Sequence, residues 1–121
     1  MQKTLVFNFC EMTIYNNYIV NVIKEGETIT PDYNDLLLDV TKTYFKDKPF
    51  VYITHRLNSY AVDPQIYFET SKISNLKGFA VVSSDYKAKV NAKVEKLFFK
   101  KPFETFSSLE DAFIWADKLT S

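Results

Sequence analysis

Apolar and polar residues alternate from the start of the chain. Leu5, Phe7 and Phe9 fall on one side of residues 4–9 and Thr4, Val6 and Asn8 on the other, which is the period of a strand. A second alternating stretch, Met12 to Ile23, is interrupted by Asn16-Asn17, two residues that tolerate positive φ, and this predicts a hairpin. Lys24-Glu25-Gly26-Glu27 ends it, and the pattern changes to a period of 3.6. Thr30-Pro31-Asp32 then offers a capping hydroxyl, a proline at the first helical turn and an acid against the positive end of the dipole. Tyr33, Leu37, Val40 and Tyr44 recur on one face of the helix so begun, which Lys46-Asp47-Lys48-Pro49 stops.

Two later runs are apolar on both faces, Phe50-Val51-Tyr52-Ile53-Thr54 and Gly78-Phe79-Ala80-Val81-Val82. Such runs suit central strands of a parallel sheet covered on both sides. Asp63-Pro64 opens a helix between them, with Val62 and Tyr67 placed to staple its start. Ser84-Asp85 caps a third helix with an expected buried stripe of Tyr86, Val90, Val94 and Leu97, and Pro102 follows its end. Phe103-Glu104-Thr105-Phe106 reads as an edge strand. Ser107-Ser108-Leu109-Glu110 is a capping box before a last helix with Leu109, Ala112, Phe113, Ala116 and Leu119 turned inward. The order predicts one α/β domain over residues 1–121: a mixed sheet, antiparallel in its N-terminal hairpin and parallel at its centre, with about four helices.

Composition narrows the function classes. The two glycines, Gly26 and Gly78, cannot build a G-x-G-x-x-G or Walker-type phosphate loop. Fifteen Lys and Arg balance fifteen Asp and Glu, so no global basic field draws the chain to nucleic acid or to an anionic membrane. The one cysteine, Cys10, has no partner for an internal disulfide and there is no C-x-x-C pair. No apolar run approaches the roughly 18 residues of a membrane span, and the first residues carry no signal-peptide pattern. A cytoplasmic protein is expected, without metal or cofactor.

The opening hairpin with Tyr15-Asn16-Asn17-Tyr18-Ile19-Val20, the helix start Thr30-Pro31-Asp32-Tyr33, the strand and loop Val51 to Pro64, the strand Leu76 to Val82, and the closing segment Lys101 to Trp115 together give the chain a family likeness. It resembles the SpoIIAA-like family, relatives of the STAS domain of bacterial anti-anti-sigma factors. The resemblance implies a bacterial regulatory module that works through protein contacts. In antagonist members a serine near the start of the helix after a parallel-type strand is phosphorylated by a partner kinase; the matching stretch here runs from His55 to Pro64, and Ser59 is its one serine. The usual Asp-Ser pair is absent, since Asn58 precedes Ser59. Other relatives are thought to hold small apolar ligands, so a lipid-type carrier is the alternative.

In open α/β sheets ligands favour the crevice beyond the carboxyl ends of the parallel strands. Here those ends deliver His55, Arg56, Asn58, Ser59 and Tyr60 after one strand, and Ser83, Ser84, Asp85 and Tyr86 after the next. These nine form the candidate binding mouth: a base, a fixed cation, hydroxyls and aromatic walls. The plainer reading makes Ser84 and Asp85 helix caps and His55 and Arg56 solvated loop residues. Ser59 or Ser84 with His55 and Asp85 would make a hydrolase-like set, but no G-x-S-x-G elbow accompanies it, so no catalytic residue is assigned. The lysines of the third helix, Lys87 to Lys101, read either as a docking face, for an acidic protein before RNA, or as a solvated surface. Aromatic pairs on the helices read either as a partner surface or a homodimer face, or as the aromatic-rich layers of a small sheet covered on both sides. A pocket lined by Tyr67, Phe68, Val90 and Trp115 would mark the carrier; an exposed Ser59 would mark the module.

Overall fold

A computed structural model describes residues 2–121. The first strand, β1 (Lys3–Val6), stops short of the expected residues 4–9. The alternation in burial persists through Phe9, yet the chain reverses there: the Phe7 N–H donates to the Cys10 carbonyl at 2.8 Å, and β2 (Cys10–Ile14) returns antiparallel to β1. A hairpin at Asn16-Asn17 leads into β3 (Tyr18–Ile23) as expected. Neither asparagine takes positive φ, however. Tertiary contacts decide the turn: the Asn17 carbonyl accepts the Val51 N–H at 3.0 Å, and its side chain donates to Asp117 (2.7 Å) and Thr120 (3.0 Å).

A two-residue strand, β4 (Thr28–Ile29), precedes α1 (Tyr33–Tyr44). The Thr30 hydroxyl does not cap this helix; the carbonyls of Thr30, Pro31 and Asp32 accept the N–H groups of Tyr33, Asn34 and Asp35, each at 3.0 Å. Tyr33, Leu37 and Val40 are buried as expected, while Tyr44 is half-buried. The helix ends on Lys46, which has φ 53° with no glycine to ease it. Asn75 holds that turn by donating to the carbonyls of Lys46 and Lys48, both at 2.9 Å.

The doubly apolar runs are β5 (Phe50–His55) and β7 (Leu76–Val82), and they pair in parallel at the sheet centre. Between them lie β6 (Ala61–Val62), which pairs with β4 in a small second sheet missed from the sequence, and α2 (Gln65–Thr70), whose first N–H is accepted by Asp63 at 3.1 Å. After β7 come α3 (Tyr86–Glu95), a 3₁₀ turn at Lys96–Phe98, the edge strand β8 (Phe103–Phe106) and α4 (Leu109–Thr120). The main sheet runs β1-β2-β3-β5-β7-β8, antiparallel across β1, β2 and β3 and parallel from β3 to β8.

Strand alternation sorts the core into two layers. Met12, Ile19, Phe50, Tyr52, Phe79 and Phe103 face α1 and α2, where the Phe79 ring stacks on Phe103 with centroids 5.1 Å apart. Val20, Val51, Ile53, Ala80 and Val82 face α4 alone. Ala112 and Ala116 let α4 approach closely, and Gly78 completes the fit: a Cβ there would lie 2.7 Å from Leu119 and 2.9 Å from the Trp115 ring. Ser108 caps this helix by accepting the Asp111 N–H at 3.3 Å.

The expected stripe of α3 is inverted. Tyr86, Val90, Val94 and Leu97 point outward, exposed by 79, 39, 53 and 80 %, and Ala92 is the buried residue. The amphipathic rule orients a helix by its apolar side, but here one small alanine and two polar anchors, described below, set the orientation. The helix aromatics divide: Phe45, Tyr67 and Phe99 are buried, Tyr44, Phe98 and Trp115 are half-buried, and Phe68 stays partly exposed beneath the ammonium groups of Lys72 and Lys100.

Candidate functional site

Parallel pairing of β5 with β7 places His55 opposite Val82, so the segments leaving the two strands emerge side by side. They frame an open cleft of about 740 Å³ between residues 57–64 and one side of α3 from Lys87 to Glu95. Asn58, Ser59 and Tyr60 border it on one side and Ser83, Ser84 and Asp85 on the other, which with Arg56 brings together seven of the nine residues of the expected mouth. Leu57, within the expected loop, also lines it, as do Asn91 and Glu25, of which the sequence pattern gives no sign.

The 57–62 segment is fastened to the turn after β3. Asn58 donates to the Ile23 carbonyl at 2.9 Å, the Ser59 N–H to the Glu25 carboxylate at 3.0 Å, and the Gly26 N–H to the Ser59 carbonyl at 2.8 Å. Gly26 adopts φ +80°, a left-handed conformation open to glycine at little cost. The β4–β6 pair continues the same attachment, with the Ala61 N–H donating to Glu27 at 2.9 Å. Ser59 is exposed at the cleft edge. Tyr60 turns its hydroxyl down toward Thr54, 3.1 Å away, and so joins the core layer more than the wall.

Across the cleft the helix-start chemistry is in place. Buried Ser83 accepts the Asp85 N–H at 3.0 Å, and Asp85 caps α3 by accepting from the Lys87 N–H at 3.2 Å. Ser84 is exposed.

Three expected residues do other work. Arg56 is no free cation: its guanidinium is buried in an ion pair with Glu95 of α3 and also donates to the Tyr67 hydroxyl at 3.1 Å. Burial disfavours its charge, but Tyr60, Tyr67 and Glu95 more than offset that, and its pKa rises above the usual guanidinium value. The signal available in the sequence was Glu95 itself, the lone acid among the α3 lysines. His55 is half-buried outside the cleft lining; burial pushes its pKa down, which favours neutral imidazole at pH 7. Tyr86 stands clear on the outer side of α3.

The pocket around Tyr67, Phe68, Val90 and Trp115 that would mark a carrier does not form, since Tyr67 and Trp115 lie in layers on opposite sides of the sheet and Val90 faces out. The cavity within the α1/α2 layer, lined by Tyr33, Tyr52, Tyr60 and Tyr67, measures about 30 Å³. That is room for roughly one water, against the roughly 300 Å³ or more of a small-molecule pocket. Beside it Asn21 donates to the hydroxyls of Tyr33 (2.5 Å) and Tyr52 (2.7 Å), and burial raises the pKa of both phenols. Cys10 is buried in the same layer, its thiol pushed up by burial. Among the described residues no three His, Cys, Asp or Glu side chains gather as metal ligands, and no helix is long and apolar enough to cross a membrane.

No family model matches the chain, and no curated protein does. Among solved structures it is similar to an uncharacterized protein of the DUF3478 family with a SpoIIAA-like fold from Shewanella loihica PV-4. The TM-score is 0.52 at 12 % identity, over 96 % of this chain and 92 % of that one. The fold of this chain is SpoIIAA-like, with the mixed sheet and four helices expected of it.

Proposed function

We propose that the chain is an interaction module of STAS type, which docks a segment of a partner protein in the cleft between residues 57–64 and α3. The observation that carries this reading is the cleft itself, an open hollow edged by the exposed hydroxyls of Ser59 and Ser84 and by exposed Leu57. Its size and mixed lining suit side chains of a docked polypeptide better than a buried lipid. The module acts by contact and not by chemistry in this reading: the Arg56 charge is committed to Glu95, and His55 lies outside the lining.

Ser59 is the point of modulation. Its own N–H is held by the Glu25 carboxylate, so a phosphate on the hydroxyl would set about two negative charges beside that acid. Repulsion would loosen the segment from the turn and reshape the near wall.

Affinity capture from the native cell tests the proposal, comparing wild type with Ser84→Trp, which fills the cleft, and Ser59→Asp, which mimics the modification. A protein retained by wild type and lost with Ser84→Trp supports docking. Retention of the same proteins by all three chains overturns it. Native Ser59 found unmodified under every growth condition removes the switch but leaves the docking.

A further inference from the structure

The cleft reading leaves two outer surfaces unexplained. The first is the inverted stripe of α3. At about 100° per residue Tyr86, Val90 and Val94 share an arc of roughly 80°, on the side of the helix away from buried Ala92, and Leu97 extends the line through the 3₁₀ turn. Lysines bracket it: Lys89 and Lys93 along one side, Lys87 along the other. Glu95, the helix's one acid, is turned away into the Arg56 pair. Lys87 and Lys93 form no ion pair among the described residues.

The second surface is the outer face of α4. Ala112 and Ala116 are buried, and opposite them Ile114 is 55 % exposed. Exposed Glu110, Asp111 and Asp117 surround it, with Lys118 the one base among them. Over the whole chain the charges cancel, so the basic rim of one helix and the acidic rim of the other are a local separation. Each rim encloses exposed apolar side chains.

We infer that the α3 stripe of one copy of this chain docks on the Ile114 face of α4 of a second copy. The inference goes beyond the cleft reading and does not depend on it. The two helices lie against opposite faces of the same sheet, so within one chain the patches cannot meet. Between copies they join unlike surfaces, a heterologous contact that leaves one free patch at each end and therefore propagates. An anionic lipid surface would use the α3 lysines but leave an apolar residue ringed by acids on α4 unaccounted for. A second copy accounts for both.

Sedimentation velocity on the full chain tests this. At low ionic strength the weight-average mass of wild type rises above 14.1 kDa with concentration, and about 0.5 M salt weakens the association roughly tenfold. Leu97→Asp and Ile114→Lys alter exposed positions, so both fold, as circular dichroism will verify, and each alone is monomeric. Val94 is left unaltered because it borders the cleft. Mixing the two variants restores a species of two chains, since one keeps its α4 face and the other its α3 stripe. A wild type that stays monomeric into the millimolar range overturns the inference. So does a mixture that stays monomeric, or wild type that is monomeric yet binds phosphatidylglycerol vesicles through Leu97. None of these outcomes bears on capture by the cleft.

Discussion

Arg56, the first residue beyond β5, and Glu95, in the last turn of α3, form a buried ion pair across 39 positions of sequence. With side chains only 7 and 12 % exposed, neither charge has much water to fall back on. The pair is the main polar anchor of α3, assisted by a 2.7 Å hydrogen bond from Lys89 to Ser107. It also fixes the far wall of the cleft.

Glu95→Leu therefore strands a buried guanidinium, and urea unfolding should show a loss of about 3–5 kcal/mol. The double variant Arg56→Met/Glu95→Leu removes both charges and should recover most of that loss. A single variant as stable as wild type would mean that α3 is anchored elsewhere.

Tyr52→Phe removes an acceptor from Asn21, whose Oδ1 already lacks a partner in the core. The expected cost is about 1–3 kcal/mol by thermal or urea denaturation. Because burial raises the Tyr33 and Tyr52 pKa values, the folded state holds protons that the unfolded state releases above pH 10. Stability from these phenols is thus complete below pH 10 and is lost as pH climbs beyond it. Tyrosinate absorbance should rise together with unfolding; early titration of all eight tyrosines in a folded chain would contradict this.

Gly78→Ala drives a methyl group into Leu119 and the Trp115 ring. Leu119 can swing aside and the indole cannot do so freely, so we expect a loss of about 1–3 kcal/mol and a shift in tryptophan fluorescence. An unchanged emission spectrum and midpoint would show that α4 sits less tightly than its alanines suggest.

His55 gives an acid-side signature. Its folded pKa lies below the ordinary 6.5, so between those values the unfolded chain binds more protons and stability falls as pH is lowered. His55→Gln should flatten the stability profile in that window. A slope unchanged by the substitution would assign it to other groups.

The doubly apolar runs at residues 50–54 and 78–82 were enough to predict the parallel centre, because a strand covered on both sides needs no polar face. The cleft followed from that pairing. What escaped was set by distant partners. Asn16-Asn17 tolerate the mirror-image turn, but Asn17 is claimed by Val51 and α4. Arg56 looked like loop chemistry because its counterion lies in another helix. On α3 and the 3₁₀ turn after it the four large apolar residues outweigh Ala92 in any amphipathic reading, yet the Arg56 pair and the close fit of a small residue turn them to solvent.

Both neighbours of β5 reach it only through parallel pairing, β3 after the excursion through α1 and β7 after the excursion through α2. The molecule's most enclosed strand is thus unable to gain either partner from a tight local turn, and two long loops must close before it is sheltered. Nascent chains should then fold more slowly than the microseconds to milliseconds of helical bundles of this length, with residues 50–55 among the last to gain protection from hydrogen exchange during refolding.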